Sequence, residues 1–359
     1  MNLSYFVIGL FVACSVATGQ EQPKAEVAMT AIIRAFSTHS IVMLGELHGN
    51  KQEYELLRGL VFSQEFAAKV NDLVLEYGNA LYQDVVDRYV AGENVPIEDV
   101  KKAWLNTTEI GPPSPIYGWL YEAVREANRK RHQKLRIVLG DVYINWERVK
   151  DREDLGPFVA NRDPFYASVV REQVLARHRK ALLVAGYAHF LRSIAGPNLI
   201  ESQLRAAGAA TFVIAPGTNT IGGYDDLDKR FDSWKPPSVV TLRGNWLGQL
   251  AALPVLSGGT IPSSPGENLK LEDAADALLY LGPRDSLTQI HTTHADLQGT
   301  PYGKEIERRV EIMFGKPFVD VVSEEKETPE FSRNSGPPPP LPPPPKSIHD
   351  PLPPKPPVN

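Results

Sequence analysis

Cysteine is nearly missing from this chain of 359 residues: the only one, Cys14, lies inside an apolar N-terminal run. If that run is removed no thiol remains, which excludes disulfides, thiolate metal sites and a cysteine nucleophile from the mature protein. Long hydrophobic runs are missing too, since the N-terminal one at residues 5–17 (YFVIGLFVACSVA) is too short to span a bilayer comfortably. Nor is there a block of one charge sign: acids and bases intermingle to a formal net charge of -5. Without a basic stripe to contact phosphates, a nucleic-acid partner is excluded. The chain also lacks a G-x-S-x-G nucleophile elbow, a P-loop, a G-x-G-x-x-G after its first strand and an H-E-x-x-H pair. Serine-esterase and nucleotide-dependent chemistry are disfavoured by those absences.

What is present sorts into three parts. Residues 1–19 read as a signal peptide, with the small residues Ala17, Thr18 and Gly19 placing cleavage so that the mature protein begins near Gln20. Phe11-Val12-Ala13-Cys14 is close to a lipoprotein processing box, which makes Cys14 an alternative attachment point. An exported protein follows from either reading: periplasmic, secreted or associated with the outer membrane, with no membrane span after processing. At the other end, residues 324–359 turn charged and then proline-rich (PPPPLPPPPKSIHDPLPPKPP). That composition favours polyproline II and buries no core, so it reads as a tail, foremost a spacer and alternatively a docking segment for an envelope partner. Between them, residues 25–320 form one α/β domain with ample apolar content for a core.

Short β-branched runs alternate with helical stretches through that domain. Residues 41–45, 72–78, 136–141, 181–186 and 211–216 read as strands, with 277–282 as a further one. Their continuous apolar character predicts a mainly parallel central sheet with helices on both faces. Helices are expected at 51–62, 81–91 and 115–131, where apolar residues recur at helical spacing. The stretch 104–115, with Gly111-Pro112-Pro113, reads as a loop or helical excursion that covers the site.

In open parallel sheets, ligands bind beyond the carboxyl ends of the strands. Those ends carry Gly45-Glu46-Leu47-His48, then Glu76, then Asp141, then Gly186-Tyr187-Ala188-His189. A lone acid after a strand is commonly a cap, and a lone histidine a satisfied polar residue. Two histidines in the same Gly-x-x-His setting, joined by two glutamates, point to one shared site instead. Glu46, His48, Glu76 and His189 therefore stand as catalytic candidates, with Asp141 and Arg192 as supports around them. Two chemistries fit these residue types. The four could hold a divalent metal that polarises a carbonyl and acidifies water. Alternatively, one histidine acts as general base while a glutamate fixes its tautomer. His189, on a strand-end loop, is expected to contribute little to stability. His291 and His294, three residues apart, have the spacing of a metal pair but no carboxylate at a compelling offset, and read as surface histidines.

The arrangement resembles the superfamily that groups erythromycin-esterase-like enzymes, ChaN-like haem-uptake proteins and Tiki metalloproteases. The resemblance covers roughly residues 30–300 and rests on Gly45-Glu46-x-His48, Glu76 and Gly186-x-x-His189. It implies that these residues form the active or metal site. The segment Glu76-Tyr77-Gly78-Asn79 with Tyr82-Gln83 and Asp87-x-Tyr89 looks like exported bacterial members. A hydrolase acting on an ester, amide or peptide bond of a small-molecule or peptide substrate is the leading expectation. A non-catalytic haem- or iron-binding envelope protein is the alternative; no residue matches a haem-ligating tyrosine, although Tyr77 and Tyr187 lie near the site.

Overall fold

Six apolar runs of four to eight residues build the middle of one sheet because each offers side chains to both of its faces. The computed structural model describes residues 21–192, 199–217, 229–231, 233–256, 269–317 and 339–344. The N-terminal run with Cys14 lies outside the described residues, as does most of the 324–359 segment. The strands are β1 (Glu26–Val27), β2 (Ile41–Glu46), β3 (Asp72–Asn79), β4 (Arg136–Asp141), β5 (Ala181–Gly186), β6 (Thr211–Pro216), β7 (Ser238–Thr241) and β8 (Ala277–Tyr280). They lie in the order β1-β7-β8-β6-β2-β5-β3-β4. From β8 to β4 neighbours run parallel, while β7 runs antiparallel to β8 and β1 antiparallel to β7. The sheet is thus mainly parallel, as its patterning predicts. The antiparallel edge was not anticipated, because four residues of β7 and two of β1 are too short to show a period.

Helices cover both faces. Along β2, Val42 and Leu44 point into a core shared with α1 (Ala28–Ala35), α2 (Lys51–Phe62), α3 (Gln64–Lys69), α4 (Gln83–Ala91), α5 (Ile97–Leu105) and α6 (Ile116–Arg129). Ile41 and Met43 point the other way, towards α8 (Arg162–Gln173) and α9 (Ile200–Ala206), which follow α7 (Arg152–Ala160). α2 starts where Asn50 accepts a hydrogen bond from Glu53 N at 2.9 Å, and Leu56, Leu57, Leu60 and Val61 form its buried stripe. A third apolar cluster, with Trp146, Phe158 and Val310, lies between the exit from β4, α7 and the C-terminal helix Pro301–Phe314. No helix among the described residues is long and apolar enough to cross a membrane.

Sheet order decides which loops meet. The chain leaves β2 for β3 but later inserts β5 between them, so the carboxyl ends of β2, β5 and β3 are immediate neighbours. Glu46 stands opposite Gly186 in register. The β3 end is tied to its surroundings by Asn79, which is fully buried. Its Nδ2 donates to Asn106 O (2.6 Å) and Ile144 O (2.7 Å), and its Oδ1 accepts from Leu81 N (2.9 Å). Thus one amide joins β3 to the loop after α5 and to the exit of β4. Replacing Asn79 with Ala removes three bonds and strands their backbone partners, and should lower stability by about 3 kcal/mol. Chemical unfolding of the variant against wild type checks this; a change below about 1 kcal/mol would show that water replaces the amide.

Candidate active site

The two Gly-x-x-His elements lock together through their glycines. A Cβ on Gly45 would meet Cβ of Tyr187 at 2.7 Å, and a Cβ on Gly186 would meet the His48 ring at 3.0 Å. Each glycine therefore makes room for the turn that follows the neighbouring strand. Glu46, His48 and Glu76 each offer a ligand atom within 4.8 Å of the others. His189 joins them through Nε2, 3.1 Å from Glu76 Oε1, and its Nδ1 lies 2.6 Å from Asp163 Oδ1. All four candidates read from the strand ends thus stand in one group.

Charge balance organises this group. Glu76 is almost fully buried. Its Oε2 accepts from Gly186 N at 2.6 Å, and its Oε1 accepts from Arg162 Nη2 at 2.6 Å. Burial would push its carboxyl up, but His189, Arg162 and His48 hold it well below the usual carboxylate range. Arg162 also pairs with Glu109 and approaches Asp141 Oδ1 at 4.0 Å. Burial disfavours its charge, and the surrounding carboxylates, Glu109 and Glu76 foremost, more than restore it. His189 is opposed by burial but raised to about 10 by Glu76 and Asp163. For His48 the same opposition is overcome by Glu46, then Glu76 and Glu109, to about 9. Its Nδ1 lies 3.6 Å from Glu46 Oε1, an ion-pair contact too long for a hydrogen bond. Both imidazoles are therefore cationic at neutral pH.

Beneath this rim lies a second layer. Glu53 is fully buried and accepts from Leu47 N at 2.9 Å. Burial, then the charge of Glu46, pushes its carboxyl well above the usual range. A cavity of about 10 Å³, room for roughly one water, is lined by Glu46, Tyr54, Tyr77, Tyr117 and Tyr121. Tyr77 stacks on Tyr117 with centroids 3.7 Å apart. Glu46 Oε1 and Glu53 Oε1 are buried without a hydrogen-bond partner.

The supporting residues divide. Asp141 is in the network, where it accepts from Thr108 N (2.5 Å) and Thr108 Oγ1 (2.7 Å); burial, opposed by Arg162 and Thr108, raises it to about 6. Arg192 is not. Its guanidinium is engaged by Glu201 (3.0 Å) and Asp276 (2.9 Å), which tie the turn after β5 to α9 and to the residue before β8. It therefore acts as a structural clamp, because the carboxylates on its side of the sheet reach it first. His291 is exposed; the segment around it instead braces the His48 turn, with Ile290 N donating to Gly49 O (2.8 Å). Tyr187 is half-buried and packs with the α8–α9 core.

Sequence reasoning missed Arg162, Asp163 and Glu109. Glu109 lies in the 104–115 stretch, of which 106–115 is the loop after α5, and it does reach the site. Arg162 and Asp163 open α8, distant in sequence from every strand end, and no local pattern marks them.

No family model and no curated protein sequence matches the chain. Solved structures do, and they include members of the superfamily named from the motifs. An erythromycin esterase EreC mutant in its open conformation is 12% identical, with a TM-score of 0.44, covering 73% of this chain and 93% of that one. ChaN of Campylobacter jejuni, solved with cofacial haem, is 13% identical, TM-score 0.33, covering 56% and 93%. A Bacillus cereus protein is 14% identical, TM-score 0.45, covering 72% and 92%. At such identities the side chains of this protein have to carry any functional reading.

The pairing of His189 has a pH signature. Its folded-state value of about 10 lies above the ordinary 6.5, so its contribution to stability is complete below pH 6.5 and lost as pH rises through about 10. His189→Gln should therefore be less stable than wild type at pH 6, by more than a surface substitution costs, with the gap closing towards pH 10. This exceeds the small cost expected of a loop side chain, because the ring bridges two carboxylates. Thermal unfolding at pH 6, 8 and 10 measures it, and a gap that is small or independent of pH would contradict the pairing.

Proposed function

We propose that the protein is an exported hydrolase that cleaves an ester, amide or peptide bond with the help of a divalent cation held by Glu46, His48 and Glu76. The observation that carries this reading is the convergence of their ligand atoms within 4.8 Å around a Glu46 oxygen that is buried without a hydrogen-bond partner. An orphaned carboxylate oxygen there fits a cation, since unpartnered buried polar atoms are otherwise costly. The charge inventory agrees. Glu76, Glu109, Asp141 and Asp163 surround one fixed cation, Arg162, Glu46 faces His48, and the two imidazoles stay protonated to balance these acids.

That same protonation argues against the cation-free alternative. A histidine held charged to about 9 or 10 has no lone pair with which to accept a proton from water at pH 7. A haem reading gains no support from Tyr77, which is buried against Tyr117. When bound, a divalent cation supplies Lewis acidity, polarising a carbonyl and lowering the pKa of water. The chain's own residues supply the rest. Asp163 holds the His189 ring through Nδ1, leaving the Nε2 proton facing the cluster, where it is donated to the departing oxygen or nitrogen. Arg162 keeps Glu76 ionised and in place. The loop after α5, through Glu109, closes one side of the rim.

Because His48 must lose its proton to bind a cation, affinity should rise about tenfold per pH unit from pH 6 and level off near pH 9. Calorimetric titration of metal-free full-length protein with Zn²⁺ and Mn²⁺ at several pH values tests this. Glu46→Gln, His48→Ala and Glu76→Gln should each weaken binding and lower hydrolysis of an ester and peptide panel at least ~100-fold. Absence of divalent-cation binding across that pH range, or full activity in all three variants, would overturn the proposal.

A further inference from the structure

The described part of the proline-rich segment, Pro339–Pro344, is seated on the domain. Pro339 O accepts from Asn161 Nδ2 at 2.7 Å and Pro342 O from Tyr143 Oη at 2.8 Å. These carbonyls are three residues apart, one turn of a polyproline II helix, so they lie on the same face of it. Leu341, the one non-proline residue within 337–345, packs against the third apolar cluster, as Tyr143 and Phe165 do. Leu341 and Pro342 are half-buried, whereas Pro339, Pro340, Pro343 and Pro344 are exposed.

We propose that Tyr143, Asn161 and Phe165 form a polyproline-binding groove whose ligand is the chain's own Pro339–Pro344 segment. A polyproline helix has no internal hydrogen bonds and no N–H groups to offer, so a receptor must present donors to its carbonyls and an aromatic surface to its rings. The groove does both. Tyr143 and Phe165 stand edge to face with centroids 5.3 Å apart. Asn161 is held in place by its second amide bond, Nδ2 to Pro157 O at 2.8 Å, so its orientation is set before the segment arrives. The segment is already stiff, and its tether supplies a high local concentration, which favours it over any free competitor. Asn161 directly precedes Arg162 and Asp163 in the chain, so the docked segment lies at the same corner as those residues. The groove stands independently of the hydrolase reading.

The test uses the full-length chain and a fluorescein-labelled synthetic peptide of residues 336–346. In wild type, the tethered segment should exclude the peptide. In a full-length variant carrying Leu341→Asp and Pro342→Gly, the peptide should bind at least about tenfold more tightly than to wild type, read by anisotropy. Adding Tyr143→Phe to that variant removes only a hydroxyl and should weaken the peptide about fivefold, and Asn161→Ala about as much. Tyr143→Phe keeps the ring and the fold, so the groove remains testable if Asn161→Ala unfolds. Equal binding to wild type and the tail variant, no binding to the tail variant, or binding indifferent to Tyr143→Phe would overturn the proposal.

Discussion

A carboxylate buried at the end of a central strand must be neutralised, and most of the site follows from how Glu76 is. Leaving such a charge without its partner costs about 3–5 kcal/mol. The Gly186 N–H, the Arg162 guanidinium and the His189 ring all converge on it. Each of those partners then brings its own acid: Arg162 gathers Glu109 and approaches Asp141, and His189 takes Asp163. The result is a ring of negative groups with few fixed positive ones. Such a site keeps its histidines protonated.

The layers around Glu76 have different work. Above it, polar residues from strand ends and from the first turn of α8 meet solvent. Below it, the stacked Tyr77 and Tyr117 line a small cavity beside Glu46, and Glu53 is fully buried. Close contact between the two histidine turns requires the absent side chains of Gly45 and Gly186. Those glycines thereby give the repeated Gly-x-x-His pattern a packing reason, separate from the chemistry of its histidines.

Much of this was legible in the residue order. Apolar runs such as ALLVAG at 181–186 have the length and continuous apolar character of buried parallel strands, and acids or imidazoles directly after them could only emerge at the carboxyl rim. Arg192 shows the limit of that reasoning. It too follows β5, yet Glu201 and Asp276 reach it first, and nothing in its neighbourhood in the chain reports their approach. Arg162 and Asp163 show the converse: they look like ordinary helix-opening residues, and only α8 packing on the sheet brings them to Glu76.

By itself, then, the sequence determined the six parallel strands, three of the helices between them and the four side chains at the rim, because hydrophobic periodicity and strand ends are local properties. Only the tertiary structure decided that β5 lies between β2 and β3, that Arg162 rather than Arg192 neutralises the site, and that a proline-rich segment folds back beside it. Those outcomes depend on strand order, on the distance between charges and on buried desolvation, which arise from residues remote in the chain and have no periodic trace along it.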